Sequence, residues 1–416
     1  MTWTRRDILK LASASLMFSS GCEQRVSRRP ATRPRYFVTI FLRGGIDAIL
    51  TTNPKTRADV AAEVDVPYRA ADILEVGGTP LGPHLAPIAG KIGQIAIVNG
   101  VQVQTANHET GTVQMVRVKT RCTPQSPGLL DIIASHRDGQ PLGTMSLGHV
   151  SAIDHSPGWF GSSASTSPDR KTLLDRLDDA SPADLELMAH GLRSQLEGLT
   201  ARHANDATID NLSQTALLFE RLRDVPPFRP AVWSSHRKAQ ALAADFQRML
   251  WALQHDLVGC VYLKVFYDWD SHFNNHNRQV ESSGMFMPMF DRFLSEMNIV
   301  SNRFGTLASN TAIFCGSELG RFPILNADRG KDHFPEAPYL FLGPGINTYD
   351  GKGAVFGTTG KQMQTLPVSL ETGHDAGPER HIITLDDIGA TLLSLAGIEP
   401  ERHGYDGRRL NFLLTV

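Results

Sequence analysis

The chain has 416 residues, of which 41% are hydrophobic and 20% are charged, and its formal net charge at pH 7 is −2. A chain of this length can bury a large core in one big domain or in two, and the composition is that of a globular protein. The near-neutral charge, without a basic stripe interleaved with aromatic residues, excludes nucleic acid as the expected partner.

The N-terminal segment has the pattern of an export signal. Arg5 and Arg6 precede a weakly apolar run at 11–18 that is too short to span a bilayer. This pattern predicts export of the folded protein by the twin-arginine machinery to the periplasm or cell envelope. Cys22 stands where a lipoprotein signal would end, and its acylation would attach the protein to the membrane. Residues 1–35 would then be signal and tether; the alternative is an amphipathic N-terminal helix.

The remaining cysteines predict free thiols. Cys122, Cys260 and Cys315 form an odd number, and two of them lie in apolar runs. Cysteines in such runs are usually buried and unpaired, whereas a disulfide framework needs an even number at regular spacings. We therefore expect buried thiols rather than a set of disulfides.

The first apolar run after the tether predicts a strand that is buried on both faces. This run, at 36–42, is followed by Arg-Gly-Gly-Ile and then by Asp47. Ligands of open α/β sheets bind beyond the carboxyl ends of such strands, and glycine lets the backbone approach them closely. Asp47 is therefore a candidate metal ligand, or alternatively the N-cap of the next helix.

A second buried strand is predicted at 95–103, after a turn and a short helix at 81–90. The polar residues that follow it open a predicted helix through 113–115. His108 and Glu109 would then lie near a helix N-terminus, where backbone N–H groups favour an anion. The alternative is a helix-capping cluster without chemistry.

Residues 165–256 change character after a further short strand predicted at 145–150. Leucine and alanine recur at spacings of three and four residues, and a proline-rich stretch interrupts the pattern near 224–230. The pattern predicts a helical insertion, or cap, over the main sheet. Its charged positions are expected to face solvent.

The densest set of candidate ligands follows a strand predicted at 260–267. Two aspartates and two histidines fall within nine residues there, namely Asp268, Asp270, His272 and His276. Carboxylate and imidazole ligands together suit Zn, Mn or Fe. The alternative is a polar loop with incidental histidines. An amphipathic helix is predicted next, at 282–304.

Two more short apolar runs, at 311–315 and 339–342, predict buried strands. Glu318 and Arg321 come just after the first run, and His333 comes before the second. Glu318 and Arg321 therefore lie where ligands bind in open α/β sheets, and His333 is expected to return to the same edge. The alternative is a salt-bridged loop. A Gly-rich loop region to residue 377 and a helix at 383–396 complete the chain.

Motifs along the chain now resemble one family of secreted proteins. They are Phe41-Leu-Arg-Gly-Gly-Ile-Asp47, Trp269-Asp-Ser-His272, Ser317-Glu-Leu-Gly-Arg321 and Asp332-His333, together with the export signal and a tail at 385–410 like that of sulfatases. In this order they resemble the family catalogued as domain of unknown function 1501 (DUF1501), which is related to the alkaline phosphatase and sulfatase superfamily. The resemblance implies an α/β domain over 36–416 with a doubly wound, mainly parallel sheet of the alkaline phosphatase-like type.

The resemblance also implies metal at the carboxyl edge of the sheet. The resemblance, carried over position by position, implies that a divalent metal is bound by Asp47, Asp270, His272, Glu318 and His333. Zn is the preferred metal, and Mn and Ca are the alternatives. Asp268 is an alternative member of this set, and Glu318 takes the place of an Asp-His pair in the superfamily. The catalytic candidates are His108, Thr110 and Arg321, of which Arg321 could hold the anionic group of a substrate bidentately.

One departure concerns the nucleophile. The superfamily carries a Ser, Thr or modified Cys at the start of the helix after the second strand, where this chain has Asn107. An asparagine cannot attack an ester, and Thr105 and Thr110 are the nearby substitutes. Cys122 resembles the start of a sulfatase motif, but Ser126 stands where that motif has an arginine.

We therefore expect an exported, metal-dependent hydrolase that acts on a small anionic ester of phosphate or sulfate. The metal would polarise the ester, and without a nucleophile on the chain, water would have to attack directly. The alternative is a non-catalytic member that binds an anionic ligand or an envelope partner in the same pocket, which Asn107 favours. A third hypothesis is a carrier or assembly factor whose helical insertion binds a partner.

Overall fold

The computed structural model describes residues 33–137, 139–150, 154, 180–200, 206–265, 269–375 and 379–415. The predicted export signal with Cys22 lies outside these residues, and so does Asp268. Parts of the predicted helical insertion, at 165–179 and 201–205, lie outside them as well.

A seven-stranded sheet forms the centre of the described fold. Its strands, in chain order, are β1 (Tyr36–Leu42), β2 (Ile95–Gln102), β3 (Leu142–Gly148), β4 (Val258–Val265), β5 (Thr311–Gly316), β6 (Glu336–Leu342) and β7 (Ala354–Phe356). In space they are arranged β7-β2-β6-β5-β1-β4-β3. Neighbouring strands pair in parallel except that β6 runs antiparallel to both β2 and β5. This topology confirms the predicted mainly parallel α/β class.

Helices cover both faces of the sheet, as a doubly wound fold requires. They are α1 (His108–Arg117), α2 (Leu129–Ser135), α3 (Pro182–Thr200), α4 (Asp206–Arg223), α5 (Arg237–Gln254), α6 (Asn275–Ile299) and α7 (Leu385–Ala396), with 3-10 helices at Ala70–Asp72, Pro83–Gln94, Pro400–His403 and Asn411–Leu413. Alternate residues of β1 pack into the two hydrophobic cores on opposite faces of the sheet, because successive side chains of a strand point to opposite faces. Val38 and Ile40 pack with α3 to α6, whereas Phe37 and Phe41 pack with α1, α2 and α7. Among the described residues, no helix is both long enough and apolar enough to cross a membrane.

Short antiparallel strand pairs complete the described structure. They are Leu74–Val76 with Thr79–Leu81, Ser301–Asn302 with Gly305–Thr306, Gly320–Arg321 with His333–Phe334, Thr358–Thr359 with Thr365–Leu366, and Val368–Ser369 with Arg380–His381. The pair that contains Arg321 and His333 joins the end of β5 to the start of β6. It explains why His333 returns to the edge at which the parallel strands end.

The helix that follows β4 differs from its prediction at both ends. The helix predicted at 282–304 runs from Asn275 to Ile299, and a strand pair begins at Ser301. Its first two turns, before the predicted start at 282, are held by polar contacts instead of an apolar stripe: Asn275 Nδ2 donates to Asp47 Oδ2 at 2.9 Å, and Gln279 Nε2 donates to the carbonyl oxygen of Gly45 at 3.0 Å.

The edge strand β7 lies in a region that was predicted to be loop. It is only three residues long and is flanked by Gly353 and Gly357, both with positive φ (+88° and +83°). A Cβ on Gly357 would overlap the carbonyl oxygen of Asn99 in β2, so glycine is needed for this close approach. A strand this short carries too little apolar sequence to be recognised.

The cysteines within the described residues agree with the prediction of free thiols. Cys122, Cys260 and Cys315 are unpaired, and Cys260 and Cys315 are fully buried in β4 and β5. Burial raises the pKa of Cys260 to about 12, so its thiol stays protonated and behaves as a small apolar side chain.

Candidate metal centre

The sheet topology brings several polar segments to one edge. Six of the seven strands run in the same direction, so their carboxyl ends share that edge, and the antiparallel β6 begins there. Asp47 follows β1, His108 follows β2, Asp270 follows β4, Glu318 follows β5, and His333 precedes β6. The prediction that these distant segments meet on one rim of one sheet therefore agrees with the structure.

Four side chains at this edge converge on one another, and we call His108, Asp270, His272 and His333 the histidine–aspartate cluster. One potential ligand atom from each lies within 4.8 Å of the others. His272 Nε2 is 2.8 Å from His333 Nε2, and His108 Nε2 is 3.1 Å from Asp270 Oδ2. Asp270 Oδ1 is 3.2 Å from His272 Nε2 and 3.6 Å from His333 Nε2.

Each imidazole of the cluster is oriented through its Nδ1 atom. An oxygen atom accepts the Nδ1 hydrogen bond in every case: Glu318 Oε1 at 2.6 Å from His108, Asp332 Oδ1 at 3.0 Å from His272, and the carbonyl oxygen of Ala106 at 2.6 Å from His333. Because carboxylate and carbonyl oxygens only accept, each Nδ1 carries a proton. All three Nε2 atoms therefore point into the cluster, as they do in histidines that bind a metal.

The donor set fits a tetrahedral divalent metal. Zn–N and Zn–O bonds of about 2.0–2.1 Å place neighbouring ligand atoms roughly 3.3 Å apart. The four contacts given above, measured to one or the other oxygen of Asp270, are 2.8 to 3.6 Å, and one ligand atom from each residue lies within 4.8 Å of the others. The buried His108 Nε2 forms an ion-pair contact with Asp270 Oδ2 at 3.1 Å but no hydrogen bond of good geometry, and a bound ion would satisfy it.

Charges around the cluster suit a cation. Burial raises the pKa of Asp270, but His108 and the Arg321 guanidinium lower it more, so that the pKa lies well below its usual range. Burial lowers the pKa of His108, but the neighbouring carboxylates of Asp270 and Glu318 raise it more, to about 9. Without a metal, His108 is therefore an imidazolium between two carboxylates, and a metal would replace its Nε2 proton.

Glu318 orients His108 from a fully buried position. Its carboxylate accepts from the Gly44 backbone N–H at 3.0 and 3.1 Å and from Ser317 Oγ at 2.7 Å. The Gly45 N–H donates to Ser317 Oγ at 2.9 Å, which fixes the hydroxyl. The two glycines after β1 thus hold Glu318 beside His108. Glu318 was predicted to be a metal ligand, but it contacts a member of the cluster and is not itself part of the cluster.

Arg321 is also buried, and it holds Asp270. Its Nη2 donates to Asp270 Oδ1 at 2.8 Å and to the carbonyl oxygen of Gly44, and its Nη1 donates to the Lys331 carbonyl oxygen at 2.9 Å. The Arg321 side chain has no solvent-exposed surface. The expectation that Arg321 binds a substrate directly would require the guanidinium to leave these partners.

Asp47 lies at the same edge but outside the cluster. Its carboxylate is buried, and Oδ2 accepts from Lys331 Nζ at 2.7 Å and from Asn275 Nδ2 at 2.9 Å. Oδ1 accepts from the backbone N–H of Ile49 at 3.1 Å. An ammonium group therefore neutralises the carboxylate that was predicted as the first metal ligand.

The start of α1 is capped by its own sequence. Asn107 Oδ1 accepts from the N–H groups of Glu109 and Thr110 at 2.9 and 3.0 Å, so these donors are not available to an anion. Thr110 is exposed. Thr105 Oγ1 accepts from the Asn107 N–H at 3.1 Å. His108 is the first residue of the helix and the part of this segment that reaches the cluster.

Two further candidates lie away from the cluster. Cys122 follows the other end of α1, a ten-residue helix of roughly 15 Å. Burial raises the pKa of Cys122 to about 11, and its Sγ donates to the carbonyl oxygen of Lys119 at 3.2 Å. His276 is exposed, and its ring centre is 6.0 Å from that of His84 rather than near the cluster.

Several groups that orient the cluster carry no clear signal in the sequence, unlike Glu318 and Arg321. Asp332 was part of a quoted motif, and its contact with His272 could have been suspected from that motif. Lys331, Asn275 and Ala106 gave no signal, because such residues in polar segments are usually exposed. Their burial or backbone contact depends on how the loops pack.

Comparisons with known proteins give a family but no activity. A family model described as "Protein of unknown function (DUF1501)" matches residues 35–415. The search of curated proteins found no match.

Among solved structures, the lipoteichoic acid synthase LtaP from Listeria monocytogenes is 9% identical, with 92% of this chain and 77% of that chain covered and a TM-score of 0.44. The C-terminal periplasmic domain of EcEptC from Escherichia coli is 10% identical, with 90% and 85% covered and a TM-score of 0.40. Alkaline phosphatase from the Antarctic bacterium TAB5 is 10% identical, with 78% and 95% covered and a TM-score of 0.36.

Proposed function

Because the chain belongs to the DUF1501 family, whose function is unknown, we propose its function from the site itself: it is a metal-dependent hydrolase of phosphate or sulfate esters. One observation carries the proposal. Three imidazoles and one carboxylate converge at the carboxyl edge of a mainly parallel sheet, and each imidazole is oriented by an oxygen partner. This edge is where open α/β sheets bind their ligands.

The proposed ligands of one divalent metal are His108, Asp270, His272 and His333. Three nitrogen donors and one carboxylate within 4.8 Å of one another favour Zn, with Mn as the alternative. Ca fits this set less well, because Ca prefers six to eight oxygen ligands. When bound, such a metal supplies Lewis-acid polarisation of an ester oxygen.

The cluster opens to solvent on one side. The side chain of His272 is 42% exposed and that of Asp270 is 35% exposed, whereas that of His108 is only 15% exposed. Asp332, which orients His272, is also exposed. A small anionic ester can therefore approach from the side of His272, while the buried residues Glu318 and Arg321 keep the opposite side fixed.

The attack on the ester is assigned to water. Asn107 has no nucleophilic group, and its side chain caps α1. Thr110 is two residues after His108, and residues i and i+2 of a helix do not face each other. Glu318 holds His108 and Arg321 holds Asp270, so these two groups position the cluster and do not touch the substrate.

A second function is favoured by the same Asn107. A protein that binds an anionic ligand, without hydrolysing it, needs the cluster and its open side but no nucleophile. Such a protein would hold a phosphate or sulfate group at the cluster and release it unchanged.

The test measures metal content and turnover together. Purified protein is analysed for bound metal and assayed with aryl phosphates and aryl sulfates in the presence of Zn or Mn. We expect Asp270→Asn and His272→Ala to lose metal and to reduce turnover at least about 100-fold. His276→Ala is the matched control, because His276 is exposed and lies outside the cluster, and it should retain both.

The outcomes separate the candidates. Bound metal and turnover that disappear together in the cluster variants support the hydrolase. Bound metal with phosphate or sulfate binding, but without turnover, supports the binding protein. A wild-type protein that binds no divalent metal contradicts both.

We also propose that the protein works at the cell envelope. The support is the pair Arg5 and Arg6 before an apolar run, with Cys22 as a candidate acylation site. Fractionation of cells that express the wild-type protein or the Arg5→Lys/Arg6→Lys variant tests export. Retention of the wild-type protein in the cytoplasm would contradict it, and labelling of Cys22 with a fatty acid tests the anchor.

A further inference from the structure

A second cationic position lies beside the histidine–aspartate cluster. Lys331 Nζ is 2.7 Å from Asp47 Oδ2 and 3.4 Å from Asp65 Oδ2, and the Lys331 side chain is completely buried. Asn275 Nδ2 donates to the same Asp47 oxygen at 2.9 Å. Two carboxylates therefore surround one buried ammonium group at the edge where the resemblance implied a metal on Asp47.

The backbone of Lys331 links this ammonium group to the cluster. Its N–H donates to the carbonyl oxygen of Ser271 at 2.9 Å, and Ser271 lies between Asp270 and His272. Its carbonyl oxygen accepts from Arg321 Nη1 at 2.9 Å. His333 follows two residues later. The lysine is thus fixed to the segments that carry the cluster, unlike an ion pair on the protein surface.

The burial of Asp47 favours a cation at this position. A buried carboxylate without a positive partner is destabilising, and Asp47 is almost entirely inaccessible to solvent. Either a metal ion or an ammonium group can supply the positive charge. The chain supplies it with Lys331, whose Nζ occupies the space beside Asp47 Oδ2.

We propose that Lys331 is a built-in cation that takes the place of a second metal ion, so that the centre binds one metal per chain. The proposal rests on the proposed function only for the first metal, at the histidine–aspartate cluster. Lys331 is then a positioning residue: it neutralises Asp47 and anchors Arg321, and it does not touch the substrate.

The proposal predicts that the wild-type protein and the Lys331→Ala variant differ in metal content. With excess Mn or Zn, the wild-type protein should bind one equivalent and Lys331→Ala should bind two, measured by elemental analysis after gel filtration. The second equivalent should disappear in Asp47→Asn/Lys331→Ala, while the first stays. Lys331→Ala without metal should melt several degrees below the wild-type protein, and added Mn or Zn should restore the melting temperature.

Lys264→Ala is the matched control. Lys264 is another buried lysine, and its Nζ is 2.7 Å from a carboxylate oxygen of Asp154. Its removal should not add a metal equivalent, because the ligands around Asp47 are absent there. If Lys331→Ala fails to fold, Lys331→Gln keeps a hydrogen-bond donor beside Asp47 and Asp65 and is analysed in its place. It should bind a second equivalent or be stabilised by added Mn or Zn, and a folded Lys331→Gln that does neither would contradict the proposal.

Two results would overturn the proposal. One is two metal equivalents in the wild-type protein. The other is a Lys331→Ala variant that folds but gains neither a second equivalent nor metal-dependent stability. A wild-type protein with one equivalent and no turnover would contradict the hydrolase and support the role of Lys331, so the two proposals fail separately.

Discussion

Gly111 lies directly against the Cβ and Cγ atoms of Glu318, whose carboxylate orients His108, so an alanine at this position should disturb the metal centre. A Cβ on Gly111 would be 2.8 Å from Glu318 Cβ and 2.9 Å from Glu318 Cγ. Because carbon atoms in contact are about 3.5–4.0 Å apart, Glu318 must move by roughly 0.7 Å or α1 must shift by that amount. The 2.6 Å contact between Glu318 Oε1 and His108 Nδ1 would then be lost or redirected.

The size of the effect follows from the role of Glu318. Removing the outer partner of a metal-binding histidine typically costs about 10–100-fold in metal affinity, which is about 1.4–2.8 kcal/mol. We expect this loss for Gly111→Ala. The matched control is Gly284→Ala in α6, where a Cβ would meet nothing within 4 Å. It should leave the metal affinity unchanged and stabilise the helix by about 1 kcal/mol.

The assay is a Zn competition titration against a chromophoric chelator at pH 7, with thermal unfolding of the metal-free proteins beside it. Thermal unfolding separates a local effect on the site from a general loss of stability. Wild-type metal affinity in Gly111→Ala would refute the reasoning, because Glu318 would then not control the position of His108. An equal loss of affinity in Gly284→Ala would assign the effect to the fold rather than to the site.

Two further predictions concern pH. The pKa of His108 lies near 9, so metal binding below that pH must release the proton on its ring. The affinity for Zn should therefore rise about tenfold from pH 7 to pH 8. An affinity that does not change with pH would contradict this prediction. Burial raises the pKa of Asp256, but hydrogen bonds from Gln140, Tyr36 and Arg35 lower it more. The stabilisation is therefore complete above the ordinary pKa of an aspartate and is lost as the pH falls through the lowered value. Asp256→Asn should lower the free energy of unfolding by about 1.5–3 kcal/mol at pH 7 in chemical denaturation, and the difference from wild type should shrink toward pH 3; a difference independent of pH would contradict the assignment.

The strands were predictable because their apolar runs are short and uninterrupted, as burial on both faces requires. β1 occupies the predicted residues, and β5 extends its predicted run by one residue. The first two turns of α6 were missed because they depend on partners from another part of the chain: Asn275 is buried against Asp47. Local sequence patterns carry no information about such contacts, so they cannot predict a helix boundary that tertiary hydrogen bonds determine.

The site was predictable as a place but not as a set of contacts. Glycine-terminated strands followed by acidic and histidine residues locate the edge of the sheet, and the structure brings Asp270, His272 and His333 together there. Which carboxylates face the cluster is decided by neighbours that the sequence does not reveal. Asp47 faces Lys331, and Glu318 faces His108, because buried charges must find partners wherever the fold provides them.

The identity of the attacking group decides the stereochemistry of the reaction. A nucleophile on the chain would form a covalent intermediate, and two successive displacements would retain the configuration at the transferred phosphorus or sulfur. Direct attack by water is a single in-line displacement and inverts it. Asn107 caps α1, and Thr110 lies on a different face of α1 from His108. We therefore expect inversion of configuration at the transferred atom when the ester is chiral there. Retention would mean that a side chain attacks, and Thr110→Ala would then be expected to abolish turnover while leaving the bound metal in place.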